Sequence, residues 1–216
     1  GYIRALIDER RRTGADDDLL GVLVQGEVDG ERLDDDSLVH ESLLLLIGGD
    51  ETSRHVISGG MEALLRRPVQ LRELRAERDL LPGAVEEMLR WVSPIKNMNR
   101  RTMTDVEVQG RTIPAGENVL LLYPSANRDE TVFEDPEQFD VHRSPNEHVA
   151  FGFGAHLCLG HRLARAEITI MVDRVLDRLP DLHLDGDGPL PRRESNFIVG
   201  FDKMPVAFSP TARASA

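Results

Sequence analysis

The residues Phe151-Gly152-Phe153-Gly154-Ala155-His156-Leu157-Cys158-Leu159-Gly160 hold the only cysteine of the chain, set among glycines and aromatics just before an apolar run. That order suits a thiolate metal ligand. Leu163, Ala164, Ala166, Ile168, Ile170, Met171, Val175, Leu176 and Leu179 recur mostly at helical spacing until Pro180 stops the run. Cys158 is therefore expected at a helix N-terminus, where unpaired N–H groups and the helix dipole favour S⁻ over SH. Gly152, Gly154 and Gly160 let the backbone approach a flat object closely. One thiolate without further cysteines or a paired histidine motif does not make a closed zinc site, which takes four nitrogen or sulfur ligands. A single axial bond to haem iron fits better.

Elements that would position such a site can be read upstream. Asp34 to Asp36 offer N-caps for a long helix over 37–66 that ends ahead of Arg67-Pro68. Its middle, Gly48-Gly49-Asp50-Glu51-Thr52-Ser53, puts two glycines inside an apolar helix, at roughly 1 kcal/mol each relative to alanine. Such a cost marks a close approach or a local opening. Thr52 could bond back to the Gly48 carbonyl and free a carbonyl for water; an ordinary kink with solvated acids is the alternative. A second helix, 82–92, starts at Pro82 and buries Val85, Met88, Leu89 and Val92 at helical spacing. Glu87 and Arg90 share a face of it, which on a generic helix is a surface pair worth less than about 1 kcal/mol. Strands follow over 105–123: Asp105 to Gly110 alternates, Ile113-Pro114-Ala115-Gly116 turns, and Asn118 to Tyr123 reads as a buried apolar strand. A terminal hairpin over 195–208 is expected, its Ser195 to Phe201 tip pointing into a pocket.

The cysteine loop resembles the ligand loop of the cytochrome P450 family, Phe-x-x-Gly-x-(His/Arg)-x-Cys-x-Gly, at Phe151, Gly154, His156, Cys158 and Gly160. The glycine-rich stretch of the long helix, with Gly49, Glu51 and Thr52, is similar to the family's oxygen-activation groove. Glu87 and Arg90 match its Glu-x-x-Arg motif, and Arg143, in a meander over 133–145, is its third member. By this resemblance the fold is mainly α with small β-sheets (α+β), the C-terminal haem-binding lobe of the P450 fold. The chain reads as a single partial domain, 1–216, with the cysteine loop at 151–160 and its following helix at 160–179. The resemblance implies haem b as cofactor and O₂ as co-substrate, with Cys158 on the iron. His156 and Arg100 would pair with the propionates; Arg101 adjoins Arg100, so that assignment could slip by one. Thr52 would hold water beside dioxygen and Glu51 would relay protons. Glu87, Arg90 and Arg143 would be structural. Ile95, Asn97, Met98, Ile198 and Val199 would line the substrate side.

The implied activity is monooxygenation of a hydrophobic small molecule. Trp91 to Met98, Asn196-Phe197 and Met204-Pro205-Val206 look similar to actinobacterial enzymes that oxidise cholesterol-type side chains. A peroxide-driven relative tends to lose the acid–alcohol pair that Glu51-Thr52 retains. A non-catalytic haem-binding fragment or sensor is the other alternative, and loss of Glu51, Thr52 or Cys158 would have favoured it. Arg162, Arg165 and Arg174 form a local basic patch, either a solvated face or a dock for a ferredoxin, supplied in turn by ferredoxin reductase. A net charge of −12 disfavours nucleic acid. Leu43 to Ile47 is too short for a membrane span, and a single cysteine permits no internal disulfide. A cytoplasmic protein is expected. Members of the family are roughly twice this long, so the chain is expected to be a fragment.

Overall fold

The computed structural model describes residues 1–14 and 17–210. Where the sequence reads as one partial domain, the chain divides into two compact units, Gly1–Glu51 and a second that begins at Thr52. The first contains α1 (Tyr2–Thr13), α2 (Leu19–Gln25), the two-residue strands β1 (Glu27–Val28) and β2 (Glu31–Arg32), and the start of α3 (Asp35–Leu65). Ile7, Val24 and Leu38 form its small core. Asp34 caps α3, its Oδ1 accepting the Ser37 N–H at 2.7 Å, and these bonds to the charged form hold its carboxyl below the ordinary range. Arg4 and Arg11 pair with Asp36 and Asp35, each at 2.6 Å.

α3 runs without interruption through Gly48 to Ser53, where the sequence leads to an expected kink or opening. Two further glycines, about three turns past Gly48-Gly49, are closely packed. A Cβ on Gly59 would lie 2.7 Å from Val92 Cγ2, and one on Gly60 would lie 2.4 Å from Met88 Cγ. Those two glycines let α3 press directly onto α5 (Leu81–Val92), which follows α4 (Pro68–Ala76). The core of the second unit gathers Val56, Leu64 and Leu74, Val85, Met88 and Leu89 of α5, Phe139 and Val141 of the meander, and Ile168, Val172 and Leu176 of a later helix.

The sheets differ from the expected ones. β3 (Asn97–Arg101) precedes the predicted first strand and pairs antiparallel with β6 (Asn118–Leu122), while β4 (Val106–Val108) and β5 (Arg111–Ile113) form a separate hairpin. Gln109 and Gly110 take φ of 48° and 74° at its turn, the geometry that suits a right-twisted two-residue hairpin. β6 is apolar but not buried: Leu120 and Leu122 are more than half exposed. Its only strand partner among the described residues is the polar β3. After the short α6 (Tyr123–Ala126), the chain has no strand or α-helix until α7 (His161–Arg178), only a single 3₁₀ turn at Gly154–His156 in the cysteine loop. β7 (His183–Leu184) pairs with β8 (Val206–Ala207), and ahead of β8 the Arg193 N–H donates to Gly200 O and the Asp202 N–H to Pro191 O, each at 3.0 Å, closing a hairpin whose turn falls within 195–199. It is tied down by isolated bridges, Ile95 to Ile198 and Arg192 to Phe201.

Candidate functional site

Cys158 lies ahead of α7, whose N-cap is Gly160, in a loop that closes on itself. The Cys158 N–H donates to Phe151 O at 2.9 Å, the Leu157 N–H to Gly154 O at 3.0 Å, and the His161 N–H to Cys158 O at 3.3 Å. Gly152 and Gly154 adopt φ of 72° and 67°, a region that other residues enter at a cost. The cysteine is exposed, and so are Phe153 at 86% and Leu159 at 84%. Large apolar side chains grouped in this way ask for a cover. A Cβ on Gly154 or Gly160 would meet no atom within 4 Å. His156 makes no ion pair among the described residues, and Arg100 donates only to the carbonyl of its neighbour Asn99, at 2.9 Å. A thiol donor, an apolar face bounded by glycines, and an arginine and a histidine without carboxylate partners fit haem b, which is flat, apolar and carries two propionates.

Next to this open loop is a saturated one. Glu87 and Arg90 have no exposed side-chain surface. Arg90 Nε and Nη2 each donate to the Glu87 carboxylate at 2.8 Å, and Arg143 Nε adds a third bond at 3.1 Å. The Asp140 N–H at 2.9 Å and Asn146 Nδ2 at 3.1 Å complete the set. Arg90 also donates to the carbonyls of Asn127, Pro136 and Gln138. One ion pair on α5 thus collects the meander that leads to the cysteine loop.

Several residues of this framework carry no motif. Asn127, fully buried, donates to Ser93 Oγ at 2.7 Å and accepts the Val149 N–H at 2.8 Å. Gln70 brackets the meander by donating to Phe139 O and accepting the Val141 N–H. Glu86, adjacent to the motif glutamate, accepts from His148 Nε2 at 3.0 Å and twice from Arg165, at 2.6 and 2.8 Å. Burial alone would raise the Glu86 carboxyl, but these bonds to its charged form hold it at about 2. Arg165 is therefore no free member of the expected basic patch, whereas Arg162 and Arg174 are exposed.

Residues read as lining the substrate side come together in part. Ile95 bridges Ile198, the Lys96 N–H donates to Phe197 O at 2.8 Å, and the Val199 N–H to Pro94 O at 2.7 Å. Asn97 Nδ2 reaches Asn196 O at 2.8 Å, while Met98 on β3 is partly exposed. Close approach explains Gly200 behind this segment, because a Cβ there would lie 2.3 Å from the His55 ring. Gly49 and Glu51 belong to the first unit and Thr52 opens the second; Glu51 and Thr52 are half-buried.

A sequence profile described as Cytochrome P450 matches residues 1–206. The steroid C26-monooxygenase of Mycolicibacterium smegmatis is 55% identical over 203 residues, covering 94% of this chain and 51% of that protein. A steroid C26-monooxygenase of Mycobacterium tuberculosis is 57% identical over 211 residues, covering 97% and 53%. Among solved structures, CYP109E1 from Bacillus megaterium in complex with testosterone superposes with a TM-score of 0.86 at 38% identity, over 95% of this chain and 56% of that one. The chain spans about half the length of the curated relatives it matches. With the profile over nearly all of its length and relatives above half identity, the chain belongs to the cytochrome P450 family.

Proposed function

We propose that this chain is the haem-binding part of a monooxygenase that inserts one atom of O₂ into an unactivated C–H bond of a hydrophobic small molecule, the other atom leaving as water. The observation that carries the reading is the exposed Cys158 in its glycine-bounded loop, beside uncovered apolar side chains. When bound, haem b supplies the iron at which O₂ is activated with electrons from a partner.

The remaining roles fall to the chain. Cys158 Sγ would ligate the iron and donate electron density to it. Phe151, Gly154 and Gly160 would shape the loop, and Gly49 would permit close approach on α3. His156 and Arg100 would donate hydrogen bonds to the propionates, neither having a carboxylate partner among the described residues. The Thr52 hydroxyl would hold a water and Glu51 would pass protons toward it, a role supported by the sequence pattern. Glu87, Arg90 and Arg143 would hold the meander and hence the loop. Ile95, Asn97, Met98, Ile198 and Val199 would face the substrate. The names of the relatives support a sterol side chain as the narrower substrate. Arg162 and Arg174 on α7 would attract an acidic ferredoxin, reduced by ferredoxin reductase. Among the described residues no helix is long and apolar enough to cross a membrane, and the cytoplasm is the proposed location.

Turnover of a cholesterol-type sterol under ¹⁸O₂, with ferredoxin, its reductase and reduced nicotinamide, tests this reading in the haem-loaded protein. Label in a hydroxylated product is the expected result, with Thr52→Ala consuming electrons but releasing mostly peroxide. Product without label would overturn monooxygenation. Label in other hydrophobic compounds but never in sterols would overturn the narrower substrate.

A further inference from the structure

We propose that Glu86 and Arg165 form a charge-setting pair for the Cys158 ligand, Glu86 holding the Arg165 guanidinium against the ligand loop and tempering its field there. The proposal rests on the haem-thiolate reading. Arg165 stands one turn into α7. Its Cζ lies 4.6 Å from the Phe151 ring centroid, and the Phe151 carbonyl is the acceptor for the Cys158 N–H. Nε and Nη2 donate to the two oxygens of Glu86 at 2.6 and 2.8 Å, and Nη1 donates to His161 Nδ1 at 2.9 Å. That uses the planar fork of arginine, which lysine lacks.

Glu86 is itself fixed from the other side of the loop. The His148 side chain is 3% exposed, and its Nδ1 accepts the Ala150 N–H at 3.2 Å. Nε2 therefore carries the ring proton and donates to Glu86 at 3.0 Å. The carboxylate is thus held by donors from both segments that flank the cysteine loop, 148–150 before it and α7 after it. The Glu86 hydrogen bond raises the Arg165 guanidinium above its ordinary range. A cation packed on Phe151, the residue whose carbonyl holds the Cys158 N–H, favours negative charge at the ligand loop and on whatever the sulfur binds. Glu86 offsets part of that cation.

Arg165 and Glu86 are accordingly positioning residues, and their signature is a pair of opposite shifts. In the haem-loaded protein, R165Q removes the cation and should lower the ferric–ferrous midpoint potential, while E86Q leaves the cation uncompensated and should raise it. Each shift should be roughly three- to tenfold in the reduction equilibrium, where tenfold is 59 mV for one electron. R165K, which keeps the charge, should stay closer to the parent than R165Q does. The reduced carbon monoxide complex should keep its thiolate-type Soret band throughout. Shifts in the same direction, or none, would overturn the proposal and leave a structural clamp. If R165Q does not retain haem, E86Q decides alone: an upward shift supports the pair, and a downward or absent one overturns it. Lack of the thiolate band in the unsubstituted protein is a separate outcome, which overturns the haem-thiolate reading and this proposal with it.

Discussion

Glu87 and Arg90 on α5 have no exposed side-chain surface, whereas Phe153 and Leu159 beside Cys158 are 86% and 84% exposed, although both groups belong to the same unit. Every oxygen of the Glu87 carboxylate is occupied by a protein donor. In the cysteine loop the backbone is equally well tied, through bonds from the Cys158 and Leu157 N–H groups, and Phe151 packs on the core, but Phe153, Cys158 and Leu159 are left exposed. The knot is what protein alone can finish; the loop is a half-site. A rigid, saturated support beneath an uncovered apolar face is the arrangement expected of a scaffold that receives a large flat group without rearranging.

The sharpest way to break this contrast is Glu87→Ala, which strands two buried guanidinium groups and should cost about 3–5 kcal/mol. Urea unfolding monitored by circular dichroism would read it, and a loss below about 1 kcal/mol would show that the knot is not what holds the meander. Asn127→Ala removes the acceptor of the Val149 N–H and the donor to Ser93 in a fully buried place. Its expected cost is about 1–3 kcal/mol by the same measurement.

A smaller effect distinguishes Glu86 by pH. Its carboxyl falls from an ordinary value of 4.5 to about 2 in the folded protein. The stability it contributes is therefore complete above about 4.5 and is lost as pH falls through about 2. Acid unfolding of Glu86→Gln should show a flatter slope across that window than the parent, and an unchanged slope would contradict the Glu86 assignment. Smallest of all for stability is Leu159→Ser, expected to lie within about 0.5 kcal/mol of the parent because the side chain is already exposed. Haem titration should nevertheless show weaker retention. A large loss of stability with unchanged haem affinity would reverse the roles assigned to the two regions.

The sequence showed the reactive parts more clearly than the parts that carry them. Cys158 and its glycines are legible because the chemistry demands particular residue types at short fixed spacings, whereas the Glu87, Arg90 and Arg143 triad is legible only through the family resemblance, since Arg143 lies 56 positions from Glu87. Asn127, His148 and Glu86 are not, since each acts on partners between 22 and 79 positions away, which no local pattern encodes. β3 was hidden because Asn-Met-Asn-Arg-Arg in a half-wet two-stranded sheet shows no apolar alternation. The leucines of β6 depart from expectation for the opposite reason: an apolar run predicts burial, while Leu120 and Leu122 are more than half exposed. Gly59-Gly60 fell within the long helix that the sequence predicts, but only the packing of Val92 and Met88 shows why glycine is needed there.

The half-site account is tested most directly by the absorbance spectrum of the reduced carbon monoxide complex, recorded for the haem-loaded protein and for Cys158→Ala. A strongly red-shifted Soret band in the parent, absent from the variant, is the predicted result. Bound haem without that band in the parent, or with it in the variant, would contradict the assignment of Cys158 as the ligand.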